Sequence, residues 1–104
     1  MPEFCDNIDT KLDPRDDVRL ESPRRYRVLL HNDHYTTMEF VILVLREVFR
    51  KNSAEAERIM LNVHENGLGV AGVYIKAVAE AKVLAVHQRA RKAGYPLRCS
   101  AEPE

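Results

Sequence analysis

Four consecutive residues, His31, Asn32, Asp33 and His34, carry two imidazoles, an amide and a carboxylate, and a further histidine, His64, lies thirty positions on. Such a set admits three chemistries: metal ligation, nucleophilic or acid–base catalysis, and capture of a cation by hydrogen-bond acceptors. The Asn-Asp pair between the two imidazoles favours a turn, so His31 and His34 do not share a helix face. A structural zinc site wants about four ligands, usually with cysteine among them. Only His64 remains as a third, and a metal centre is the weak reading. A covalent mechanism needs a serine, cysteine or lysine poised beside a base, and no motif of that kind occurs in the chain.

The cation reading fits the residue types better. An asparagine carbonyl, a carboxylate and a neutral imidazole nitrogen all accept hydrogen bonds, and an ammonium group has three to donate. Met38 follows the cluster, while Met60 and Val63 lie one turn before His64. Methionine adapts its shape to varied apolar guests, so these residues could wall a hole for a bulky side chain beside a seat for an amine. Met60 and Val63 at helical spacing also suit plain core, and His64 near a helix end also suits a favourable C-terminal charge. Pattern alone leaves both readings open.

The elements that must position these residues can be read from periodicity. "YRVLL" from Tyr26 is rich in strand formers and runs into Asn32-Asp33, which gives a first strand. Thr36 with Glu39 three positions on reads as a capping box, and "MEFVILVLREVF" after it is apolar round most of its circumference. That composition predicts a buried central helix. Asn52 and Ser53 supply the next cap, and Ala56, Ile59, Met60 and Val63 recur on one face until Asn66-Gly67 ends the segment. "LGVAGVYI", residues 68–75, reads as a second strand with a close backbone approach at its glycines. Ala79, Val83, Val86 and Ala90 form the stripe of a third helix over residues 76–92, stopped by Gly94 and Pro96. "PLRCS" closes the chain as a weak strand.

The resulting order is βααβαβ. It predicts a small α/β (α+β) domain with three helices packed on one face of a short, three-stranded antiparallel sheet. Residues 1–24 hold seven acidic and four basic side chains and three of the five prolines, without periodicity. They read as a disordered N-terminal arm preceding a core domain at 25–104.

Composition narrows the functional classes. With 104 residues the chain supports one modest core. Sixteen basic and sixteen acidic residues cancel, so no net field recommends nucleic acid or an anionic membrane surface as partner. Cys5 and Cys99 sit at opposite ends outside any metal or redox spacing, which suits a reducing cytoplasm. No apolar run has signal-peptide or membrane-spanning length.

Three strings, "HNDHYTTMEFVILVL", "IMLNVHENGLGVAGVY" and "AVAEAKVLAVHQRARKAGYPLRC", resemble the ClpS family of protease adaptors in order and spacing from about Tyr26 onward. The resemblance implies a cytoplasmic, monomeric, non-enzymatic adaptor without cofactor. It would capture proteins that begin with Leu, Phe, Tyr or Trp and deliver them to the N-terminal domain of the ClpA unfoldase of ClpAP. By the same resemblance Asn32, Asp33, His34 and His64 meet the substrate's free α-amino group. Thr36, Met38, Met60, Val63 and Leu97 wall its side chain, with Met38 as the gate against β-branched residues. Glu80 and Lys82 dock the unfoldase, and the acidic arm is the extension offered to its pore.

Three positions depart from the family pattern. His34 stands where the family usually has a second aspartate, Thr37 replaces a proline, and Ala77 occupies a common acidic docking position. Loss of one charge-assisted contact, worth roughly 1.5–3 kcal/mol, lowers affinity on the order of ten- to hundredfold. A protein-interaction module of similar architecture without an amine pocket is the alternative. Peptides that differ only in first residue and acetylation separate the two.

Overall fold

The computed structural model describes residues 23–104. The arm assigned to residues 1–24 therefore lies almost wholly outside the described residues. Six elements follow in the expected order: β1 (Arg25–His31), α1 (Met38–Glu47), α2 (Ser53–Asn66), β2 (Leu68–Ile75), α3 (Lys76–Ala93) and β3 (Arg98–Pro103). The sheet order is β2-β1-β3 with both pairings antiparallel. This is the α+β architecture that the periodicity implies.

Alternation along β1 sorts its side chains to the two faces of the sheet. Val28 and Leu30 are fully buried in the core with Val44 and Leu45 of α1, Ala56, Ile59, Met60 and Val63 of α2, and Ala79, Val86 and Ala90 of α3. Leu29, on the opposite face, is buried but stands outside that cluster. Pairing of β1 with β2 slips by one residue between Val28 and Leu29, whose partners are Gly72 and Val70. Ala71 is thus the extra residue of a bulge.

Glycine has a packing role in β2. A Cβ on Gly69 would stand 2.9 Å from Val63 Cγ2 and 3.5 Å from the Ile59 carbonyl oxygen. Its missing side chain lets α2 lie directly on the strand. At the end of α2, Gly67 takes φ +89° and its N–H donates to Val63 O, a left-handed C-cap that favours glycine.

Two expectations need correction. The cap of α1 is Thr37, whose hydroxyl oxygen accepts from Phe40 N at 3.1 Å, and not Thr36. Thr36 cannot serve, because its own hydroxyl and amide are bound to Asp33. Nor is α1 buried all round: Val41, Val44 and Leu45 face inward while Leu43 is 45% exposed. The helix packs chiefly against α2, so its other side, where Leu43 lies, stays in solvent. Outside the core, Lys82 Nζ donates to Val48 O at 2.6 Å and Arg89 pairs with Glu47, fastening α3 to the end of α1.

Candidate functional site

The turn between β1 and α1 is organised by one side chain. Asp33 Oδ1 accepts from Tyr35 N at 2.8 Å and Thr36 N at 2.7 Å, and Oδ2 accepts from the Thr36 hydroxyl at 2.7 Å. Aspartate closes turns in this way because its short carboxylate reaches the amides two and three residues on. Partial burial pushes its pKa up. The Thr36 amide and hydroxyl, the Tyr35 amide and the adjacent His34 outweigh that and hold the carboxyl below its ordinary value.

A second tie comes from the far end of α2. Asn32 N donates to Gly67 O at 2.9 Å, so the residue that caps α2 also anchors the start of the turn. The tie brings Asn32 alongside the last turn of α2, where His64 stands. Nothing in the local spacing of the sequence announces this long-range bond.

Between turn and helix lies a cavity of ≈ 240 Å³ lined by Asn32, Asp33, His34, Thr36, Met38, Val41, Met60, Val63 and His64. Its floor is apolar: Val41, Met60 and Val63 are all buried. Its rim is polar, with Asn32, His34 and His64 exposed and Met38 standing half out of the surface at the start of α1. Chemically this is a greasy socket bordered by hydrogen-bond acceptors and one carboxylate.

The structure thus brings to one place eight of the residues singled out from the sequence: Asn32, Asp33, His34, Thr36, Met38, Met60, Val63 and His64. Val41 joins them unforeseen, because an apolar residue inside an apolar helix reads only as core. Leu97 stands apart; it is buried in the core and borders a different depression, with His87 and Tyr95. His31 also turns away, its Nε2 lying 2.7 Å from Ser100 Oγ across the sheet. Among the described residues no group of three or more His, Cys, Asp and Glu side chains is assembled to hold a metal ion.

Glu80 and Lys82 do not form one patch. Two positions apart on a helix, they project about 200° from each other. Lys82 borders a shallow groove with Glu47, Val48, Ala77, Val78, Ala81 and Ala85, its ammonium committed to Val48 O and 5.6 Å from the Tyr74 ring centroid. Glu80 is exposed and does not line that groove.

Comparison with known proteins supplies the family. The profile described as "ATP-dependent Clp protease adaptor protein ClpS" matches residues 21–100. The chain belongs to the ClpS family. The ATP-dependent Clp protease adapter protein ClpS of Nitratidesulfovibrio vulgaris (strain DSM 19637 / Miyazaki F) is 62% identical over 94 residues, covering 90% of this chain and 92% of that protein. Its namesake from Oleidesulfovibrio alaskensis is 56% identical over 100 residues, covering 90% and 96%. Among solved structures, Agrobacterium tumefaciens ClpS2 bound to L-phenylalaninamide matches with a TM-score of 0.77 at 38% identity, covering 80% of this chain and 100% of that one. This ClpS-family chain is therefore an adaptor of the Clp protease, and no helix among its described residues is long and apolar enough to cross a membrane.

Proposed function

We propose that the cavity seats the first residue of a protein chain. The apolar floor of Val41, Met60 and Val63 takes a bulky side chain such as Leu, Phe, Tyr or Trp. Asn32, Asp33, His34 and His64 hold the free α-amino group. The observation that carries this reading is the meeting of floor and acceptors in one cavity, in a chain 38% identical to a neighbour bound to L-phenylalaninamide, a bulky side chain beside a free amine.

The parts divide the work. Asn32 Oδ1 and a neutral imidazole of His64 accept from the ammonium, while Asp33 supplies the negative charge. Since three hydrogen bonds already occupy its oxygens, Asp33 contributes mainly by field and by fixing the turn. Met38, at the mouth, contacts the Cβ of the guest and disfavours β-branching there.

The magnitudes permit binding. Burial of a Leu or Phe side chain gives roughly 1.5–3 kcal/mol, and each charge-assisted hydrogen bond adds roughly 1.5–3 kcal/mol. One side chain and three such bonds give roughly 6–12 kcal/mol, and association costs of about 4 kcal/mol or more leave at most the roughly 8 kcal/mol of micromolar binding. That strength suits a guest that must be handed on.

The captured chain is delivered to a ClpA-type unfoldase of ClpAP. Glu80 and the groove beside Lys82 are the candidate docking features on α3, and the N-terminal arm enters the pore. Titration of short peptides by fluorescence anisotropy tests the pocket: peptides starting with free Leu or Phe bind, and those starting with Ala or acetyl-Leu do not. Equal binding by all four would leave an interaction module without an amine pocket.

A further inference from the structure

We infer that His34 opens this site to chain starts whose second residue is acidic. The inference rests on the amine-seat reading above and specifies its substrate class. It follows from the charges that line the cavity: one carboxylate, Asp33, and two imidazoles, His34 and His64, with no lysine, arginine or glutamate among the lining residues.

The carboxylate is largely satisfied from within. Of about four acceptor positions on a carboxylate, three on Asp33 are filled by Tyr35 N, Thr36 N and Thr36 Oγ1. What remains of its field is opposed by the seated ammonium. A rim so balanced does not repel a further anion.

The chain that leaves the cavity must pass this rim. The second residue's Cα lies about 3.8 Å from the first, so its side chain emerges within a few ångströms of the groups that hold the amine. His34 is exposed, adjacent to Asp33 and at the cavity wall. A neutral imidazole offers an N–H to a carboxylate there, and a protonated one adds attraction. A second carboxylate at position 34 would instead set two adjacent anions beside an acidic second residue. Close like charges disfavour each other, and for exposed pairs the effect is about two- to fivefold in affinity.

A double-mutant cycle reads this directly. Peptides of one sequence with Phe-Ala, Phe-Asp or Phe-Lys starts are titrated against the full chain, H34D and H34Q by fluorescence anisotropy at low and high salt. The native chain binds Phe-Asp at least as tightly as Phe-Ala. H34D shifts the Phe-Asp to Phe-Lys affinity ratio about fivefold toward Phe-Lys at low salt, H34Q shifts it less, and high salt erases the shift. Equal penalties on Phe-Asp in the native chain and H34D would overturn the role of His34 while leaving the pocket intact. Failure of Phe-Ala itself to bind the native chain would overturn the pocket and this inference together.

Discussion

The turn at residues 32–36 and the helical wall of Met60 and Val63 border the same cavity, but they are held by different forces. The turn is exposed and fixed by hydrogen bonds that converge on Asp33. The wall is core: Met60 and Val63 are 7% and 3% exposed and packed with Ile59 and Ala56 in the same cluster as β1. Damage to the wall should therefore be felt in folding and binding alike, whereas damage to the turn should fall mainly on binding.

Met60→Ala is the largest expected effect. Truncating a buried methionine costs about 2–5 kcal/mol of stability, and it also enlarges the floor under the guest. Chemical denaturation should show that loss, with weaker binding of a Leu-start peptide than of a Phe-start one. An unchanged denaturation midpoint would place Met60 outside the core and break the contrast.

Asp33→Ala comes next and should invert the balance. Three turn hydrogen bonds and the counter-charge disappear together, so peptide affinity falls by at least about tenfold, or about 1.4 kcal/mol. Stability falls by only about 1–2 kcal/mol, as for loss of a helix-capping side chain. If stability drops as far as in Met60→Ala, the turn is not peripheral to folding.

Acid titrates the same distinction. The folded-state pKa of Asp33 lies below its ordinary value of 3.8, so its charged form adds stability above that value. The contribution is lost as pH falls through the lowered value, and the turn should loosen before the helical core. Amide exchange at Tyr35 and Thr36 should rise in acid while that of Met60 and Val63 stays protected.

The same contrast explains what the sequence disclosed. Both helix-face patterns and the strand at 68–75 were legible because burial imposes a period on residue type. The floor residues Met60 and Val63 could be named, yet Val41 could not, since nothing distinguishes an apolar cavity lining from an apolar core. The cap at Thr37 was hidden by its neighbour. Two adjacent threonines are equivalent by pattern, and only the turn closed by Asp33 decides which hydroxyl is free. Leu97 resembles a wall residue by position in the family strings, but it borders a different depression and is not among the residues that line the cavity. Bonds over long separations, Asn32 N to Gly67 O and Lys82 Nζ to Val48 O, leave no periodic trace.

Gly69 joins wall to sheet and gives the subtlest test. A Cβ there meets Val63 Cγ2 at 2.9 Å, tighter than side chains tolerate, so Gly69→Ala requires Val63 to move. Val63 lines the cavity, and a displacement of a few tenths of an ångström would narrow the socket without touching any rim acceptor. Stability should fall by about 1–3 kcal/mol, the cost of modest overpacking. Binding of Phe-start peptides should weaken more than that of Leu-start peptides, because the larger guest needs the full depth. Equal weakening of both would mean that the strain reaches the turn through Gly67, two residues away, and that wall and rim are mechanically one unit.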